Sequence, residues 1–392
     1  MRRRYSKVGA GLVAAALLLA GCGGSAEGGT DDGATEGGAA TDSVSIGLIA
    51  AEQGPFAFAG ISYLRGAELA IQHVNEEEAV PGVSIELATE EGSADPAKAI
   101  TGLNRLIADD DVVGVICCIS SGVAGAIKPV AISAEIPVNI YGAAALGLEE
   151  PPFIFRTAAI PAESTALATT RVIETEGLSK VAHIAAADND GQTAMMAASQ
   201  EAATAAGAEN VAQVETLFAD TDFSGPVTQL LASSPDLIVV SLSGEQAATV
   251  IKSLREQGYT GAIVANNAVS AAAVLESFGA SLADTYYAVE FTPASTLESA
   301  QAFTEAYVEE YGENPDLYSS QGYVAVRFLV EGIAAADESG DITRATLSDA
   351  LVGISELDSI WGPVTFTEGQ AAIGEFQIMQ LDAEGQPALW TP

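Results

Sequence analysis

A chain of 392 residues exceeds what one compact core usually holds, and its 48% apolar content can fill two. With 15 basic against 53 acidic residues, the formal charge is −38, which excludes the electrostatic footprint of a nucleic-acid or anionic-surface binder. The two histidines, His73 and His183, stand far apart, and the cysteines show no metal-ligand spacing, so neither a metal nor a cofactor is expected.

The chain opens on Arg2, Arg3, Arg4 and Lys7, followed by an apolar stretch over residues 8–20. That stretch is too short to span a bilayer comfortably and reads as the core of a signal peptide covering residues 1–21. It ends in Leu19, Ala20, Gly21 and Cys22, which resembles a bacterial lipobox. The resemblance implies that Cys22 becomes a lipidated N-terminus that ties the chain to a membrane. Residues 22–42 are rich in Gly, Ala, Thr and acidic side chains without apolar periodicity, as in a flexible tether. Losing the leader would remove four basic residues and take the charge from −38 to −42.

From Val44 the pattern becomes regular. Val44, Ile46 and Leu48 alternate as in a strand, and Tyr63, Ala67, Ala70, Ile71 and Val74 form a helical stripe. A second strand is predicted over 83–88. Asp95 and Pro96 open a helix as N-cap and first residue, with Ala99, Ile100, Leu103, Leu106 and Ile107 on its apolar face. Residues 112–116 are continuously apolar, as in a strand buried on both faces. Cys117 and Cys118 follow. They read as strand residues, at least one of them buried; a vicinal disulfide in an oxidising compartment is the alternative. Ser120, Ser121 and Gly122 lead into a helix of small residues, then a strand over 136–140.

Beyond Thr157 the alternation restarts, with strands predicted at 181–186, 211–218, 237–241, 263–265 and 286–289. Long helices over 297–311 and 318–336, a short one over 344–352, and a terminal strand pair near 364–366 and 376–381 close the chain. This is an α/β pattern, two lobes that each carry a parallel sheet flanked by helices. Open α/β sheets bind ligands beyond the carboxyl ends of their strands, which places the site in the cleft between the lobes.

Several short segments carry a resemblance over nearly all of residues 44–381. They are Ile46-Gly47-Leu48 with Gly54-Pro55-Phe56, Arg65-Gly66-Ala67-Glu68-Leu69-Ala70, Asp95-Pro96-Ala97-Lys98-Ala99, Ser120-Ser121-Gly122-Val123-Ala124 with Pro129-Val130-Ala131, Phe155-Arg156-Thr157, and Gly362-Pro363-Val364-Thr365-Phe366. In combination they resemble the branched-chain amino acid-binding family, the type I periplasmic solute-binding fold of ABC importers. The resemblance implies two lobes joined by three crossovers, closure on a hinge, and delivery of a small-molecule ligand to an ABC permease. Lobes are expected at 44–160 plus about 292–367, and at about 161–291 plus 368–392.

Ser120, Ser121 and Gly122 fall where a strand ends and a helix begins, so hydroxyls and free N–H groups would bind an anion there. A purely structural cap is the other reading. In the family the matching serine holds the ligand carboxylate. Gln53, Phe56 and Phe58 follow the first strand and would wall the pocket, or pack at the lobe edge. Ala143 and Ala144 stand where the family usually has a hydroxyl, leaving only backbone groups. Asp188 and Asp190 lie in a loop where the family has a tyrosine before the glycine; Asp190 stands there, or the tyrosine is deleted, and its carboxylate would hold an ammonium or cap the next helix. Ser243 replaces a frequent aromatic, and Asn267 a frequent glutamate.

The carboxylate end of the pocket is thus retained and the ammonium end altered. An amino acid would need Asp188, Asp190 or Glu290 as counter-charge; a carboxylate, amide or urea-type solute would not. A ligand-presenting sensor component is a further alternative. An enzyme is not expected, because the chain has no G-x-S-x-G elbow, P-loop or histidine metal motif.

Overall fold

The computed structural model describes residues 42–391 except 55, 93 and 94. The predicted leader, Cys22, the tether up to Thr41 and Pro55 lie outside the described residues.

The first lobe begins with β1 (Asp42–Ala50), α1 (Ala57–Glu76), β2 (Val83–Glu91), α2 (Pro96–Ile107), β3 (Val112–Cys117), α3 (Ser121–Ser133), β4 (Val138–Ile140) and β5 (Ile154–Arg156). All six residues of β3 are buried, as a strand with helices on both faces requires. Helix α2 starts as its sequence dictates: the Asp95 carboxylate accepts the Ala97 N–H at 2.8 Å, and Pro96 takes the position that needs no amide donor.

The second lobe runs through α4 (Pro161–Glu176), β6 (Lys180–Ala186), α5 (Asp190–Ala205), β7 (Glu209–Thr216), α6 (Ser224–Ala232), β8 (Leu237–Val240), α7 (Gly244–Glu256), β9 (Ala262–Ala265), α8 (Ala272–Phe278) and β10 (Thr285–Val289). The chain then returns to the first lobe with α9 (Glu298–Tyr311), α10 (Leu317–Ser339), α11 (Arg344–Gly353), β11 (Glu356–Ser359), β12 (Gly362–Thr367) and β13 (Gln370–Ile373). It ends in the second with β14 (Gln377–Leu381) and β15 (Pro387–Leu389).

The two sheets have strand orders β11-β12-β13-β5-β4-β3-β1-β2 and β15-β14-β10-β9-β8-β6-β7. Both are parallel at their centres, and β11 to β13 and β14 to β15 add antiparallel edges. Two expectations change. The predicted terminal strands do not pair with each other: β12 lies in the first sheet and β14 in the second. The last crossing falls after Ile373, not near residue 367, because β13 pairs with β12 and meets β5 at Gln370 opposite Arg156.

Helices α1 and α10 touch backbone to backbone. A Cβ on Gly66 would lie 1.8 Å from the Ser319 carbonyl oxygen, and one on Gly322 would lie 2.1 Å from that of Tyr63. These glycines bring the start of α10 to the cleft. Cys117 ends β3, Cys118 follows it, and both are buried as expected; they are also joined as the vicinal disulfide given as the alternative.

Candidate functional site

Most of the cleft is formed by segments that leave the carboxyl ends of parallel strands: residues 119–122 after β3, Gly142 and Ala144 after β4, 188–192 after β6, Ser243 after β8 and 266–268 after β9. Together with Phe56, Phe58, Phe218, Tyr318 and Gln321 they line a cavity of about 320 Å³. That volume suits a small molecule.

The first-lobe wall is built around the start of α3. Ser120 stands at the cap position but makes no side-chain cap bond, so a purely structural cap is not what it provides. The Ser121 hydroxyl oxygen accepts the N–H groups of Ala144 at 3.1 Å and Ala145 at 3.0 Å. With its oxygen so occupied, the hydroxyl is left to donate its proton. Donation, the free N–H groups of the first helical turn and the positive end of α3 all favour an acceptor, best a carboxylate.

Arg156 holds the loop behind this wall. It is 1% exposed and pairs with Glu149, and its guanidinium donates to the carbonyls of Ala143 and, at 2.9 Å, Ala145. Burial lowers its pKa, and the Glu149 carboxylate opposes that shift.

The second-lobe wall carries the acidic groups. Asp188 and Asp190 both line the cavity and are exposed. Asp188 accepts the Phe218 N–H at 2.7 Å, which ties down the loop after β7. Asp190 is not the cap of α5. Asn189 is, its side chain accepting the Gln192 N–H at 3.1 Å. Asn266 is likewise spent on structure, accepting the Ala268 N–H at 2.7 Å, whereas Asn267 lines the cavity without a cap role. Among the described residues, no lysine, arginine or histidine lines the cavity.

The lobes are shut upon each other. Phe56 of the first lobe and Phe218 of the second have ring centroids 6.0 Å apart. A Cβ on Gly191 would lie 2.8 Å from the Ala144 Cβ, and one on Gly244 would lie 2.8 Å from the Phe58 ring.

Of the residues singled out from sequence, Phe56, Phe58, Ser120, Ser121, Gly122, Ala144, Asp188, Asp190, Ser243 and Asn267 all line this cavity. Gln53 does not; it is exposed on the loop before it. Nor does Ala143, whose carbonyl is turned to Arg156. Glu290 is also not a cleft residue: it is 3% exposed and lies behind Gln321. Sequence reasoning missed Gln192, Phe218, Tyr318 and Gln321, which reach the cleft from helices or a loop without a local signature.

A two-lobed body with a polar cleft at its strand ends is the architecture of a solute-capturing protein. The profile of the periplasmic binding protein family matches residues 43–386, and the chain belongs to that family. It is a binding protein and not an enzyme. The Leu/Ile/Val-binding protein homolog 7 of Brucella abortus is 26% identical over 310 residues, which span 75% of this chain and 77% of that protein. The branched-chain amino acid transporter substrate binding protein LivJ of Streptococcus pneumoniae, solved with isoleucine, superposes with a TM-score of 0.81 at 21% identity, covering 88% of this chain and 98% of its own. An ABC transporter solute binding protein of R. palustris, solved with benzoate, gives a TM-score of 0.78 at 22% identity, covering 88% and 95%. Among the described residues, no helix is long and apolar enough to cross a membrane.

Proposed function

We propose that this chain is an extracytoplasmic lipoprotein, anchored through Cys22, that captures an aliphatic amino acid and presents it to an ABC permease. The observation that carries the ligand class is the polarity of the cleft. One wall offers donors, the Ser121 hydroxyl and the start of α3; the other offers the carboxylates of Asp188 and Asp190, and among the described residues no cation lines the cavity. A zwitterion satisfies both walls, whereas a bare anion would meet two like charges. The relatives and neighbours that handle leucine, isoleucine and valine support the same reading.

A second reading rests on the aromatic side of the cleft, where Phe56, Phe58, Phe218 and Tyr318 line the cavity and a benzoate-bound neighbour shares the fold. Thermal unfolding with L-leucine, L-isoleucine and benzoate decides between them. Ligand that binds only the folded state raises the midpoint by mass action. A rise with the amino acids alone supports the first reading, a rise with benzoate alone the second, and no rise with either refutes both. Cys22→Ala should release the chain from the membrane fraction; retention there would refute the anchor.

A further inference from the structure

The cysteine pair sits at the root of the first-lobe wall. Cys117 ends β3, Cys118 follows it, and residues 119–122, which line the cleft, come directly after. The two sulfurs are bonded, and both residues are buried in an apolar cluster that also holds Val123, Ala124 and Ile127 of α3. Along a strand successive side chains point to opposite faces, so neighbouring sulfurs meet only where the extended backbone stops. It stops here, for Cys118 has a φ of 141°. Among the described residues, the other non-glycine residues with positive φ fall between 49° and 56°, the left-handed well that turns use. Cys118 lies outside that well, and a side chain stays in such a place only where its surroundings impose it. The bond to Cys117 is the covalent constraint at this position.

The wall depends on the turn made there. Before it, the Cys117 carbonyl accepts the Tyr141 N–H at 3.1 Å and ties β3 to the end of β4. Just after it, Ile119 packs so close to Gly142 that a Cβ on that glycine would lie 3.0 Å from Ile119 Cγ1. Ser121 then accepts the N–H groups of Ala144 and Ala145. A different φ at Cys118 would re-aim the residues that follow, drawing Ile119 off Gly142 and Ser121 off the loop it holds.

We propose that Cys117 and Cys118 are positioning residues of the cleft: their bond fixes the backbone at Cys118 and so places the Ser120 and Ser121 hydroxyls and the first N–H groups of α3 for a ligand carboxylate. This rests on the reading of that wall as the carboxylate site, which the amino-acid and the benzoate readings share.

The test is calorimetric titration of the full chain with L-leucine and with benzoate. Two double variants lack the bond and differ by one methyl group: Cys117→Ala with Cys118→Ala, and Cys117→Ala with Cys118→Gly. In the alanine pair residue 118 relaxes and the ligand must draw the wall back, so the ligand that wild type binds should weaken roughly tenfold. In the glycine pair the same φ is open to the chain, so affinity should stay within about threefold of wild type. A role in packing alone gives the opposite order, because the glycine pair fills the core less. A glycine pair that binds no tighter than the alanine pair therefore overturns the proposal. Cys117→Ala alone breaks the same bond, should bind as weakly as the alanine pair, and takes its place if that pair does not fold. Wild-type affinity in Cys117→Ala overturns the proposal. So does labelling of Cys117 or Cys118 by iodoacetamide in unfolded wild type without a reductant, which would show the sulfurs unbonded. Wild-type protein that binds neither ligand instead refutes the carboxylate reading on which the proposal rests.

Discussion

The two walls of the cleft are built on different terms. On the first-lobe side each group is held by another that is itself held: Ser121 accepts the amides of Ala144 and Ala145, and Arg156, paired with Glu149, grips the carbonyls of Ala143 and Ala145. On the second-lobe side the carboxylates are exposed, and Gly191 and Gly244 contribute mainly by lacking a Cβ where the first lobe presses in. Preorganisation is concentrated where a carboxylate would dock, and steric fit where the lobes meet. Rigid donors recognise a group every amino acid shares; the closing wall decides what else is admitted.

The largest effect should come from the first wall. Arg156→Met would leave Glu149, whose side chain is 8% exposed, without its cation and two loop carbonyls without donors. Breaking a buried pair in this way costs about 3–5 kcal/mol. Urea unfolding should show that loss, together with weakened ligand binding. A cost below about 1 kcal/mol would mean that the loop stands without its clamp, and the contrast between the walls would fail.

Acid should act on the second lobe. His183 lies in the middle of β6, fully buried, with Nε2 2.7 Å from Asn210 Oδ1. Burial pushes its pKa down to about 4 from an ordinary 6.5. The unfolded chain therefore binds more protons between those values, so stability is full above about pH 6.5 and falls as pH drops toward 4, by about 3 kcal/mol in all. Glu290 and Asp316, whose carboxyls burial pushes up, act with the opposite sign. The informative quantity is thus the difference from His183→Gln, which should flatten the loss over that window. Equal pH slopes in the two proteins would show that the imidazole takes no part.

Ser121→Ala should weaken leucine binding by about 1.5–3 kcal/mol, since it removes a donor to a charged group and strands the amides of Ala144 and Ala145. Asp190→Asn, on the exposed wall, should cost less, because screened surface charges contribute little. Titration calorimetry on both variants sharpens the contrast, and a larger loss at Asp190 than at Ser121 would reverse it.

How far the sequence foretold this site follows from where each group sits on its element. Strand β3 is legible because six buried residues leave a continuous apolar run, and the polar residues after such a run mark the cleft edge. Tyr318 and Gln321 are not legible. They sit in an almost wholly buried stretch of α10, where cleft-facing and core-facing positions look alike, and only the glycine contact with α1 brings them to the cavity. Glu290 misled for the converse reason: a residue after a strand end is in the right place, but its direction is set by tertiary packing. Strand β13 has four residues, too few to show a period.

The smallest effect is the most selective test of closure. Gly191 is the second residue of α5 and does not have a positive φ, so alanine suits its backbone and should leave the ligand-free protein as stable or slightly more so. In the shut form, however, the new Cβ would lie 2.8 Å from the Ala144 Cβ and 3.2 Å from Ser121 Oγ. Overpacking there should cost about 1–2 kcal/mol of ligand affinity. Ala144→Gly removes the opposing Cβ, so the double variant should recover part of the loss, and the coupling in that cycle measures the contact between the lobes. Affinity lost without any loss of ligand-free stability would mean that the lobes stand apart until the solute arrives. Ligand-free stability lost with affinity unchanged would mean that they rest shut without it, and that entry of the solute requires them to open.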